Sequence, residues 1–139
     1  MVSKPRVLFD LDVILDVLQQ RQPFFAASAH ALAAAETGRL EGWVAAHSLT
    51  TLFYLLAKHH SAERARVAVG ELLSFLTVAA VDQAVIERAL TLPYSDWEDA
   101  VQMAAAAEVG AQYLITRNVE DYAGGPLPVL RPAELLTLL

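Results

Sequence analysis

The residues with most chemistry to offer are aspartates. In RVLFDLDVILDVL an apolar run ends in Asp10, Asp12 follows two residues later, and Asp16 lies one helical turn beyond. A second group, SDWED, carries Asp96, Glu98 and Asp99; a third, ITRNVEDY, carries Thr116, Arg117, Asn118 and Asp121. Crowded carboxylates raise one another's pKa, so such a cluster is costly unless a cation neutralises it. Mg²⁺ or Mn²⁺, which take oxygen donors, are the natural occupants. Two such ions, about 3.5–4 Å apart, would activate a water and stabilise the leaving oxygen of a phosphodiester. No side chain is better suited as nucleophile than metal-bound water. The chain has no cysteine, and its four histidines form no H-E-x-x-H pattern.

Bringing these acids together requires a particular order of elements. RVLF, GWVAA, TVAAV and QYLIT read as short buried strands, with PVL a fifth short one. Between them lie helical patterns: VILDVLQQ after Asp12, a helix opened by Pro23 and closed by Gly38, HSLTTLFYLLAKHH with Ser48 as N-cap, SAERARVAVGELLSFL, and a helix capped by Asp82. Ser95 and Glu98 have the spacing of a capping box ahead of AVQMAAAAEVG, and RPAELLTLL closes the chain. Strands joined by helices imply parallel pairing through right-handed crossovers. The expectation is a single domain over residues 1–139, a three-layer α/β/α sandwich with a mainly parallel sheet of four to five strands. Ligands of such sheets bind outside the carboxyl ends of the strands, where Asp10, the Asp96–Asp99 pair and the Asn118–Asp121 segment would meet.

Composition bounds the partners. With 16 acids against 10 Lys and Arg the net charge is −6, unlike the basic balance of proteins that coat nucleic acid. An acidic metal pocket that meets phosphate through its cations is compatible with that charge. The apolar share is 55%, much of it alanine, and no uninterrupted stretch reaches the roughly 18 residues of a membrane span. MVSKPRVLFD runs straight into a strand without a signal-like apolar region. The expected setting is cytoplasmic, without membrane association.

The segments VLFDLDVILDVL, SDWEDAVQMAAAAEVGAQYLITRNVEDYAG and PVLRPAELL together resemble a PIN domain, the fold of many toxin nucleases of toxin–antitoxin pairs. The resemblance covers nearly the whole chain and agrees in element order. It implies a metal-dependent ribonuclease using Mg²⁺ or Mn²⁺, acting on RNA, often homodimeric and often neutralised by a small antitoxin protein. Asp10 falls on the family's first metal acid, Asp99 on the third, and ITRNVEDY on the region that supplies a fourth, so that Asp10, Asp99 and Asp121 become the metal set, with Asp96 beside them. Two positions depart from the pattern: Thr51 stands where the family usually has glutamate, and Asn118 where it often has aspartate. Ser48, Thr51, Thr116, Arg117, Asn118 and Asp12 are left as substrate-side or supporting residues.

Plainer roles compete for several of these residues. Asp12 is equally placed to cap the first helix. Asp16 could pair with Arg21 or stay solvated. Asp96 favours the positive end of its helix and Glu98 closes a capping box. Arg117 could grip a phosphate or neutralise neighbouring acids. Trp97 and Tyr122 could stack on bases or cover a core. Phe24, Phe25, Phe53 and Tyr54 are candidates for a dimer face or antitoxin groove. Two other functions stand as rivals. One is a PIN fold that binds RNA or protein without cleaving. The other is a haloacid-dehalogenase-like phosphatase with Asp10 as nucleophile and Asp12 as acid. Val13-Ile14 after the second aspartate and the scarcity of lysines (Lys4 and Lys58 alone) count against the phosphatase.

Overall fold

The computed structural model describes residues 4–139; residues 1–3, on which the expected leaderless start partly rests, lie outside it. Five strands, β1 (Arg6–Phe9), β2 (Glu41–Ala45), β3 (Leu76–Ala79), β4 (Tyr113–Ile115) and β5 (Val129–Leu130), form one sheet in the order β3-β2-β1-β4-β5. Every pairing is parallel, as the alternation of strands and helices requires. The chain winds outward from β1 through β2 to β3, then crosses back to β4 and β5. The reversal puts the switch point between β1 and β4, the place where such sheets leave a crevice.

The helices are α1 (Leu11–Leu18), α2 (Phe25–Glu36), α3 (Ala46–His59), α4 (Ala62–Leu72), α5 (Gln83–Ala89), α6 (Trp97–Glu108) and α7 (Pro132–Leu136). Successive residues of β1 point to opposite faces, and each face has its own core. Val7 and Phe9 pack with Ile14, Leu32, Leu52 and Leu135. Leu8 packs with Val85, Met103 and Leu114 under α5 and α6. A strand buried on both faces reads as an unbroken apolar run, which is why RVLF carries no alternation.

Four helix starts differ from the sequence expectation. α2 begins at Phe25, with Pro23 in the turn before it. α1 begins at Leu11, before Asp12, because Asp10 N–H donates to the Ile115 carbonyl at 2.8 Å and ends the strand pairing there. α3 begins at Ala46, directly after Ala45 pairs with Ala79, so Ser48 lies inside the helix and caps nothing. α6 is capped by Asp96, whose Oδ1 accepts from Asp99 N–H at 3.1 Å, and not by Ser95. A carboxylate at the cap also meets the positive helix end, and Glu98 is left exposed without the expected capping box. Asp82 does cap α5, accepting from Val85 N–H at 3.1 Å.

Gly42 shows how closely the layers approach. A Cβ built there would lie 2.6 Å from Leu76 Cδ2, 3.0 Å from Ala35 Cβ and 3.1 Å from Phe9 Cε2. Helix α2 seats against β2 across this gap, and its alanines let it come near. Gly42→Ala should therefore lower stability by about 1–3 kcal/mol through overpacking, measured by urea unfolding; an unchanged midpoint would show that the layers separate freely.

Candidate functional site

The pairing of Phe9 with Ile115 ends β1 and β4 side by side and sets Asp10 next to Thr116. Thr116 Oγ1 lies 2.8 Å from Asp10 Oδ2 and 3.0 Å from Asp12 Oδ2. Gln102 Nε2, from α6, donates to Asp10 Oδ1 at 2.6 Å, and Ser48 Oγ donates to Gln102 Oε1 at 3.1 Å. The Tyr122 hydroxyl, from the 3₁₀ helix Val119–Tyr122, lies 3.1 Å from Asp10 Oδ2 and 3.1 Å from Asp99 Oδ1. Asp10 and Asp99, from opposite parts of the chain, thus stand no more than two hydrogen-bond lengths apart across one phenol.

Asp12 has a different role. Its Oδ2 accepts from Asn118 Nδ2 at 2.9 Å and Arg117 N–H at 3.3 Å. It ties the segment after β4 to the start of α1, and it does not cap the helix. Its Oδ1 is buried without a partner among the described residues.

Farther out, Asp96, Asp99, Glu120 and Asp121 line a polar cavity of about 360 Å³ together with Tyr94 and Ser95. Asp99 belongs to both zones. Burial pushes its carboxyl up to about 6, helped by the charges of Asp96, Asp10 and Asp121 and opposed by the Tyr122 hydrogen bond. Burial likewise lifts Asp12 to about 6, with the Asp10 charge adding to it. Asp10 is raised by burial, against the pull of its hydrogen bonds from Thr116, Tyr122 and Gln102. Burial and the two carboxylates together raise the Tyr122 phenol, which stays protonated. Burial lowers His47, which stands near Glu98 and Asp10 at the start of α3.

These donors suit a hard cation: all are oxygens, and burial and mutual repulsion burden their negative charge. Among the described residues no three Asp, Glu or His side chains are grouped tightly enough to enclose one ion. Asp10 and Asp99 form the inner pair, while Asp121, expected as the third ligand, lies on the outer cavity. That arrangement fits Mg²⁺ better than an all-protein cage, since Mg²⁺ commonly takes one or two carboxylates and keeps waters or phosphate oxygens.

Other sequence-based assignments move. Asp16 pairs with neither Arg21 nor solvent: it is fully buried, with Oδ2 2.9 Å from Arg117 Nε and 3.2 Å from Ser28 Oγ. Arg117 is thereby turned to α1 and away from the acids of the outer cavity. Thr51 Oγ1 donates to the His47 carbonyl at 3.2 Å, within its own helix. Tyr122 is 2% exposed and cannot stack on a base, whereas Trp97 is exposed. Gln102 and the bridging role of Tyr122 were missed. For Gln102 the signal was available: it lies three residues after Asp99 and so shares its helix face.

A parallel α/β fold with carboxylates gathered at its switch point is the class of protein that this geometry defines. A sequence profile described as the PIN domain matches residues 6–120, and the chain belongs to the PIN-domain family. No curated protein matches the chain in sequence. Among solved structures, a toxin–antitoxin complex from Klebsiella pneumoniae is similar at 27% identity and TM-score 0.70, covering 91% of this chain and 97% of that one. VapC20 of Mycobacterium tuberculosis, a Sarcin-Ricin loop cleaving toxin, is similar at 15% identity and TM-score 0.66, covering 86% and 95%. VapBC2 of Rickettsia felis, bound to a promoter DNA fragment, is similar at 13% identity and TM-score 0.68, covering 91% and 98%.

Asp99 gives the site a measurable pH signature. Its carboxyl ionises at about 6 in the fold against 3.8 ordinarily, so the fold favours the protonated form. The resulting stabilisation is full below pH 3.8 and is lost as pH rises through about 6. In chelator, Asp99→Asn should therefore gain thermal stability relative to the parent chain between pH 4 and pH 7 (roughly the window of the shift). A Tm difference that stays flat, or shrinks as pH rises, would show that Asp99 is not strained.

Proposed function

We propose that the chain is an endoribonuclease that hydrolyses RNA phosphodiester bonds with the help of Mg²⁺ or Mn²⁺, and that it is the toxin of a toxin–antitoxin pair. The observation that carries this reading is the meeting of Asp10 and Asp99 at the Tyr122 hydroxyl, 3.1 Å from each. When bound, the cation would neutralise the phosphodiester and acidify a water. Asp10 and Asp99 would hold it. Gln102, itself held by Ser48, fixes one oxygen of Asp10, and Thr116 fixes the other. Asp96 and Asp121, on the outer cavity with Asp99, are the carboxylates available to a second ion or to the water that attacks. Asp12 and Asn118 keep the loop after β4 in place.

The partner reading has separate support. The Klebsiella structure is a toxin–antitoxin complex and is covered over 97% of its chain. Of the four aromatics expected on a partner face, Phe24 and Tyr54 are exposed, at 40% and 62%, while Phe25 and Phe53 are half-buried. A homodimer or a bound antitoxin would cover such side chains. Among the described residues no helix is long and apolar enough to cross a membrane.

A second reading, a PIN fold that binds without cleaving, is favoured by one observation: the Thr51 hydroxyl is spent on its own helix backbone and supplies no acid to the site. The phosphatase reading has lost its footing. The chain belongs to a different family, and Lys58 sits at the last turn of α3 over the Tyr54 ring, roughly 15 Å along the helix from Ser48.

Cleavage of a long single-stranded RNA in Mn²⁺ separates the two surviving readings. The proposed nuclease loses cleavage in chelator, and Asp99→Asn and Asp10→Asn each lose it by at least about 100-fold, with circular dichroism unchanged. Equal cleavage by Asp99→Asn and the parent would dismiss the mechanism; no cleavage by the parent, with RNA still bound, would establish the binding module.

A further inference from the structure

On the far side of the loop after β4 lies a second cleft, of about 190 Å³, walled by Pro23, Phe24, Ser28, Arg117, Arg131 and Pro132. We propose that it is a subsite for one nucleotide of the RNA strand next to the bond being cleaved, the base stacking on Phe24 and the phosphate meeting the arginines. This rests on the nuclease reading above and adds to it the place where the strand is gripped.

In a chain of net charge −6, the cleft brings two guanidinium groups together and has no carboxylate on its wall. Arg117 is placed by two contacts. Its Nε lies 2.9 Å from the buried Asp16 carboxylate, and its guanidinium carbon lies 4.2 Å from the centre of the Phe24 ring. These contacts use one edge and one face of the guanidinium. Among the described residues its two terminal nitrogens make no hydrogen bond, which leaves their N–H groups for an anion. Arg131 lies 2.9 Å from Glu120 and 3.7 Å from Glu134, and both pairs are exposed, where such contacts are weak and exchange readily. Asp16, Glu120 and Glu134 therefore temper the positive charge without closing the cleft.

Position and shape argue for a strand of the same substrate. Thr116, which contacts Asp10 and Asp12, is the residue before Arg117. Glu120 lines the acidic cavity and accepts from Arg131 of the cleft. The segment 116–121 is thus the wall shared by the two cavities, and a strand with one phosphate at Asp10 and Asp99 would carry a neighbouring nucleotide over it. The cleft is smaller than the roughly 300–1,000 Å³ of drug-sized ligand sites, so it takes a single nucleotide and no longer piece of strand. Splayed bases of single-stranded RNA are bound by stacking on aromatic rings and arginine planes. Phe24 and Arg117 offer both.

Removing Arg117 would strand Asp16 in the core, so the test uses Phe24→Leu and Arg131→Gln in the full chain. Affinity for a single-stranded oligoribonucleotide is read by fluorescence anisotropy in chelator, alongside cleavage of a long RNA in Mn²⁺. Phe24→Leu should weaken binding about 5- to 150-fold, the range of one lost stack. Arg131→Gln should weaken it less and flatten its salt dependence. Unchanged RNA affinity in both variants would overturn the subsite, even where the parent cleaves RNA and the nuclease reading stands. Weakened affinity in both, with a parent that cleaves, would uphold it; weakened affinity with a parent unable to cleave would keep the cleft as an RNA-binding subsite and overturn its place beside a cleaved bond. Loss of a co-purifying antitoxin with RNA affinity intact would make the cleft a protein site and overturn the proposal. So would a parent chain that binds no RNA either in chelator or in Mn²⁺.

Discussion

Asp10 ends the central strand with its carboxylate withdrawn from water, and its hydrogen-bonding side-chain partners are an amide and two hydroxyls: Gln102, Thr116 and Tyr122. Among the described residues no arginine or lysine pairs with it. Dipoles compensate a buried negative charge only partly, so Asp10 keeps an unsatisfied preference for positive charge, and the surrounding structure preserves it. The amide comes from α6, one hydroxyl from the end of β4 and the other from the 3₁₀ helix. If any of these elements shifted, the carboxylate would lose a partner it cannot replace. The strand order that brings β1 beside β4 is therefore a requirement of Asp10 as much as of the cores on either side of the sheet.

The cations of this region are placed elsewhere, and that separation is informative. Arg117 is adjacent in sequence to Thr116, yet its side chain crosses to Asp16 and Phe24. Had it turned the other way, it would have set a full positive charge against the carboxylates at the end of β1. Asp16 is the residue that prevents this. Fully buried and hydrogen-bonded by Ser28, it offers Arg117 a counter-charge one helical turn along α1 from Asp12. A buried ion pair of this kind contributes little net stability, but it fixes where a charge does not go. The acidic and arginine-lined cavities are kept apart by the same short segment.

The frame of this arrangement was legible in the sequence, because it rests on patterns that are local. An apolar run ending in Asp10 is a strand and its carboxyl end, and alternating strands and helices force parallel pairing. From these two facts the convergence of Asp10 with the segments around Asp99 and Asn118 follows. What could not be read were the side-chain partnerships that depend on tertiary packing. Proximity in the chain offers Asp16 only Arg21 or solvent, whereas its partner Arg117 comes from the segment after β4, distant in sequence but next to β1 in the sheet. Tyr122 was open to reading as a core residue, and it is buried, but nothing local marks its hydroxyl as the bridge between Asp10 and Asp99. Helix starts were misplaced by one to three residues where a strand runs straight into a helix, because the cap there is the strand's own last backbone hydrogen bond. No capping side chain marks such a start.

The two departures from the family pattern then acquire a physical sense. Position 51 bears a hydroxyl that donates to the backbone four residues earlier, a habit of threonine within helices, and so adds no charge to the site. At position 118 the amide donates to Asp12 at 2.9 Å; an aspartate in its place would set a second carboxylate against Asp12. Neither residue carries a negative charge, and Asn118 makes a bond that fixes the loop. On the nuclease reading, a pair such as Asp10 and Asp99 would bind a divalent ion weakly by itself and more tightly with a phosphate oxygen among the ligands. In this form of the fold, cation and substrate would bind together, with the loop that Asp12 and Asn118 hold in place forming the wall along which the strand lies.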